Sequence, residues 1–74
     1  MNPVIPRQAY IDGHRNTERR LSIWITLARK ELDTAAALGN EEATYAAASL
    51  LDALCKARNE VRIRLSNIPH LGQA

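Results

Sequence analysis

The side chains best suited to nucleophilic, proton-relay or metal chemistry are few in this chain: one cysteine, Cys55, and two histidines, His14 and His70. A zinc site takes nitrogen or sulfur ligands at short, characteristic spacings, and these three are scattered. Cys55 precedes Lys56 and Arg58, a cationic flank of the kind that activates thiols. A small semi-buried apolar side chain is the better reading and needs no chemistry. His14 and His70 fall near the ends, where surface histidines are ordinary. There is no glycine-rich phosphate loop and no nucleophile elbow. The expectation is a protein that is not an enzyme, takes no cofactor or metal, and has no small-molecule substrate.

Recognition is better represented. Arg15 and Arg19, and likewise Arg58 and Arg62, stand four residues apart. Each pair projects from one helix face and can follow a phosphate backbone. The same charges also suit a solvated helix surface or an acidic protein partner. Aromatic residues interleaved with the basic ones, which would mark single-strand binding, are missing. Asp52 with Lys56 and Glu60 with Arg64 are acid-first i, i+4 pairs, worth roughly 0.2–0.5 kcal/mol each to a helix. A second candidate is apolar: Ile23, Trp24 and Leu27, with Arg20 one turn before the tryptophan and placed to lie over its ring. Exposed tryptophan clusters anchor protein interfaces.

The elements that must hold these residues are two helices. Leu21, Ile25, Ala28, Leu32 and Ala35 are spaced 4, 3, 4, 3. Beyond Gly39, Ala43, Ala47, Leu50, Leu54, Ala57 and Val61 are spaced 4, 3, 4, 3, 4. Each set occupies one narrow helix face, as in a coiled-coil seam. Folding at Gly39 pairs large with small in three layers, Leu32 with Ala47, Ala28 with Leu50 and Leu21 with Ala57, and sets Ile25 against Leu54. Such alternation suits an interdigitated core. The fold class is therefore all-α, an antiparallel two-helix hairpin.

Residues 1–14 read as an arm, with Pro3 and Pro6 restricting the backbone and Asp12-Gly13 as a turn signal. Within it Val4, Ile5, Tyr10 and Ile11 are apolar enough to pack. The first helix is expected over 16–38, capped by Asn16 or Thr17, and Gly39 suits its left-handed C-terminal cap. The second is expected over 40–67, capped by Asn40, and stops because Pro69 disfavours helical geometry at Ile68. Residues 68–74 remain as a tail, and the whole, 1–74, is one domain.

Seventy-four residues bury little surface, and chains this small are marginal alone unless disulfides, metal or oligomerisation help. A single cysteine excludes a disulfide framework, which leaves oligomerisation. No phenylalanine, one tryptophan and two tyrosines imply an aliphatic, alanine-rich core. At about 100° per residue, Trp24 lies beside the first seam, with Ile23, Leu27 and Leu38 further round. Ala48, Leu51 and Cys55 lie off the second seam. One hairpin cannot cover all of this, so two are expected to dimerise into a four-helix bundle. No signal peptide and no membrane-length apolar run is visible, and the lone cysteine fits a reducing cytoplasm.

The net charge of +2 is small but sorted. Folding at Gly39 gathers Arg7, Arg15, Arg19, Arg20, Lys56, Arg58, Arg62 and Arg64 at the open end. Glu31, Asp33, Glu41 and Glu42 collect near the turn. The alanine and leucine layers from Thr17 to Ser66 resemble those of the Rop family, small plasmid copy-number proteins whose hairpins dimerise and bind paired RNA loops. That resemblance rests on the layers and transfers no site residue. It implies a homodimer and a nucleic-acid role for the basic end. A helix-turn-helix reader, suggested by Ala35, Gly39 and Tyr45, is opposed by polar Asn40 and by the length of the second helix.

The expected function is that of a small adaptor or inhibitor, of the kind common in phages and mobile elements, which binds and regulates a larger protein partner. Ile23, Trp24, Leu27 and Arg20 would make that contact. The alternative is a nucleic-acid-binding regulator using Arg15, Arg19, Arg58 and Arg62.

Overall fold

The structure is a computed structural model that describes residues 6–71. Two helices, α1 (Arg7–Ala37) and α2 (Glu41–Leu71), pack antiparallel as a rod 54 × 20 × 18 Å. Each has 31 residues, about 46 Å at 1.5 Å rise per residue.

The reversal is local chemistry. Gly39 adopts φ +70°, a left-handed conformation costly for any residue with a Cβ. There its N–H donates to the Ala36 carbonyl at 3.1 Å, and the Asn40 N–H donates to the Ala35 carbonyl at 3.0 Å. This double bond pattern is a Schellman cap, and it satisfies two carbonyls that the end of α1 would otherwise leave open. Asn40 then starts α2, its Oδ1 accepting from the Ala43 N–H at 3.1 Å. Glu41 and Glu42 follow in the first turn, where the helix dipole favours carboxylates. Stop and start signals act back to back, as the sequence implied.

The core is a single stripe. Ile25, Ala28 and Leu54 form its centre, with Leu21, Leu51 and Cys55 packed against them. Ala35 and Ala47 continue it towards the turn, and Val61 and Ile68 towards the open end. Two corrections to the seam follow. Leu50, assigned to it by spacing, is 47% exposed, while Leu51, placed off it, is half-buried. The α2 helix is rotated so that the seam runs between the two leucines. Cys55, also placed off the seam, packs on the core as a small apolar group.

Both helices outrun their expected bounds. The helix that was to begin at Asn16 or Thr17 begins at Arg7, with Pro6 at its N-cap, so the arm is helical from there on. Asp12-Gly13 makes no turn. Gly13 weakens a helix by about 1 kcal/mol relative to alanine, but Ile11, His14, Glu18 and Leu21 extend the seam at spacings of 3, 4 and 3 and are all partly buried. Asp12 accepts a hydrogen bond from Gln8 Nε2 at 2.9 Å, one turn away. Thr17 caps nothing; its Oγ1 donates to the Gly13 carbonyl at 3.0 Å. At the other end α2 continues through Pro69 to Leu71. Proline there forfeits one hydrogen bond in the last turn, and Ile68, 5% exposed, anchors the backbone just before it. Val4 and Ile5 of the arm, the His70 side chain and the end of the tail lie outside the described residues.

A candidate protein-docking face

The sequence-derived site residues divide between the two sides of the hairpin. On α1, Ile23, Trp24 and Leu27 are 55, 61 and 54% exposed. Helical spacing puts Trp24 and Leu27 to one side of the buried stripe and Ile23 on the side of α1 opposite it, and nothing in the hairpin covers them. Arg20 is exposed one turn before Trp24, and no cation–π contact forms between the two.

Trp24 and Leu27 are one bank of a larger apolar groove. Trp24, Leu27, Ala28, Leu50 and Leu54 line a shallow depression between the helices. It continues towards the turn between Thr34, Ala35 and Leu38 on α1 and Ala43, Ala46 and Ala47 on α2. Glu31 and Leu50 border both parts, with Lys30 at the rim. The alanines of α2 leave a floor onto which another side chain can descend, while Trp24, Leu27, Leu38 and Leu50 supply the apolar walls. Thr34, Leu50 and the α2 alanines were not foreseen as part of this face. Their signal was present in the seam itself, because a residue half-exposed on a two-helix seam is available to a third surface.

The basic end is partly committed to the hairpin. Arg62 Nε donates to Glu18 Oε1 at 3.0 Å across the helices. Arg58 is half-buried and Nη1 donates to Ser22 Oγ at 3.3 Å. These two bonds tie α2 to α1 where the apolar seam is interrupted by Glu18 and Ser22. Arg15 and Arg19 remain exposed on α1. Of the local pairs expected on α2, Asp52–Lys56 forms at 2.9 Å, while Glu60 and Arg64 form no ion pair. At the open end, His14 meets Tyr10 edge-to-face with ring centroids 4.3 Å apart, one turn away on the same helix.

Among the described residues no cluster of His, Cys, Asp or Glu is arranged to hold a metal ion. No helix among them is long and apolar enough to cross a membrane. No family model, no curated protein and no solved structure matches the chain.

Proposed function

We propose that the chain is a small non-enzymatic interaction protein, which acts by docking the apolar α1 face and its groove onto protein. The observation that carries this reading is the contiguity of Trp24, Leu27 and Leu50, each about half exposed or more, around one groove. Contiguous exposed apolar surface rimmed by polar residues is the kind that serves as an interface. Covering it by self-association yields a homodimeric four-helix bundle, and the apolar surface this leaves open, Ile23 on the outer side of α1, is what the bundle as an adaptor or inhibitor offers a larger protein. The phosphate-binding alternative has less support, since Arg58 and Arg62 already bond within the hairpin.

The test is Trp24→Ala followed by circular dichroism and measurement of association. A docking residue is lost with helicity retained and association weakened. Unchanged association would remove Trp24 from the interface and with it the reading.

A further inference from the structure

The α1 face carries a second heptad stripe with an internal symmetry. Trp24 and Leu27 stand at its centre, flanked by Arg20 and Glu31. Further out come Thr17 and Thr34, and then Gly13 and Leu38. From Gly13 to Leu38 the spacings are 4, 3, 4, 3, 4, 3 and 4, and every member is exposed. At about 100° per residue the stripe, one residue before the buried seam from Arg20 to Thr34, lies about 100° round α1 from it. That is the relation required of a helix with two neighbours in a four-helix bundle.

We propose that the occupant of this face is a second copy of the chain, packed antiparallel, α1 on α1, with Trp24 against Leu27 of the other copy. This rests on the reading of the face as a protein-docking surface and names the partner. In that register facing positions add to 51, and each pair is complementary. Arg20 meets Glu31, opposite charges at the rim. Thr17 meets Thr34, and the Thr17 hydroxyl is already satisfied by the Gly13 carbonyl. Gly13 meets Leu38, the smallest residue against an exposed leucine. Within one hairpin Gly13 has no packing role, because a Cβ built there meets nothing within 4 Å. A glycine inside a helix weakens it, and close approach by a second copy supplies the missing reason.

The same two-fold orders α2. Ile25 and Leu54 share the core, so the stripe's midpoint lies beside residues 53 and 54. Leu50 then faces the small Ala57 of the second copy. Antiparallel packing also lays the basic open end of one hairpin along the acidic turn end of the other. A parallel pair would set Arg20 on Arg20 and Glu31 on Glu31.

Sedimentation equilibrium of the full chain in low salt, with Arg20→Glu, Glu31→Arg and the double variant, tests the register. Wild type is expected to dimerise. Either single charge reversal weakens the dimer on the order of tenfold, since two symmetric pairs change sign, and the double variant restores it. In a Cys55→Ser background, Thr17→Cys and Thr34→Cys chains are expected to cross-link only when mixed, because like positions lie about 25 Å apart. Cross-linking of either chain with itself, or a dimer indifferent to both reversals, overturns the register while leaving the docking face intact. A wild-type monomer throughout overturns self-occupancy. A dimer unaffected by Trp24→Ala sinks the docking-face reading itself.

Discussion

The same substitution at two glycines is expected to have opposite signs. Neither site is sterically closed: a Cβ at Gly13 or Gly39 meets nothing within 4 Å. They differ in backbone. Gly39 sits at φ +70°, and among the described residues it is the one glycine at positive φ. Alanine in that conformation costs about 1–2 kcal/mol, partly offset by about 0.4–1 kcal/mol from a stiffer unfolded chain. The net loss for Gly39→Ala is therefore about 1 kcal/mol. Gly13 is helical, so Gly13→Ala gains about 1 kcal/mol of propensity. For a domain of this size each kcal/mol moves Tm by about 4–8 °C, and the two variants should separate by about 8–16 °C in thermal circular dichroism. Dilute protein is needed, because a self-associating chain has a concentration-dependent Tm. At high concentration the Gly13→Ala gain should shrink, as the added methyl meets Leu38 of a second copy. Equal signs at the two sites in dilute solution would refute the assignment of one glycine to a helix interior and the other to a left-handed cap.

Ile25→Ala, at a site 2% exposed in the core cluster, should cost about 2–5 kcal/mol and leave little helicity at ambient temperature, read by circular dichroism. Asn40→Ala removes the bond to the Ala43 N–H and should cost about 1 kcal/mol in urea denaturation. Arg62→Ala breaks the cross-helix pair with Glu18, whose side chains are 52 and 28% exposed; the expected loss is below about 1 kcal/mol and diminishes in high salt. The double change Arg15→Glu/Arg19→Glu should leave helicity unchanged in circular dichroism but weaken self-association in sedimentation equilibrium, since the basic open end lies along the acidic turn end of the second copy.

Features encoded within a few residues were legible in the sequence. Gly39 and Asn40 specify the reversal by their own backbone and side-chain chemistry, and the 3 and 4 spacing specified which faces meet. The helix ends were not legible, because Asp12-Gly13 and Pro69 are strong local breakers. What overrides the first is burial of Ile11 along a seam that continues past it, and what overrides the second is burial of Val61, Leu65 and Ile68 in the turns that lead up to it. That burial becomes visible only with both helices in place. The exchange of Leu50 for Leu51 has a similar origin. Adjacent positions differ by about 100°, and the rotation of α2 about its axis is set by packing rather than by periodicity.

The candidate face was half legible. Ile23, Trp24 and Leu27 stood out as apolar residues that one seam does not use, and they are exposed. The continuation of Trp24 and Leu27 across Leu50 and the α2 alanines needed the relative placement of the helices. The arginines show the converse problem. Spacing made Arg58 and Arg62 equal to Arg15 and Arg19, but Ser22 and Glu18 opposite α2 engage the first two and not the second two.

The most direct measurement of whether the α1 face is an interface uses its own chromophore. Trp24 is the sole tryptophan and is 61% exposed in the single hairpin. Sedimentation equilibrium of the full chain across micromolar concentrations, with tryptophan emission recorded on the same samples, reads mass and burial together. The expected result is a dimer mass accompanied by a blue shift of emission as concentration rises. A dimer mass with the emission of a solvent-exposed tryptophan, or a monomer mass at every concentration, would contradict self-association through Trp24.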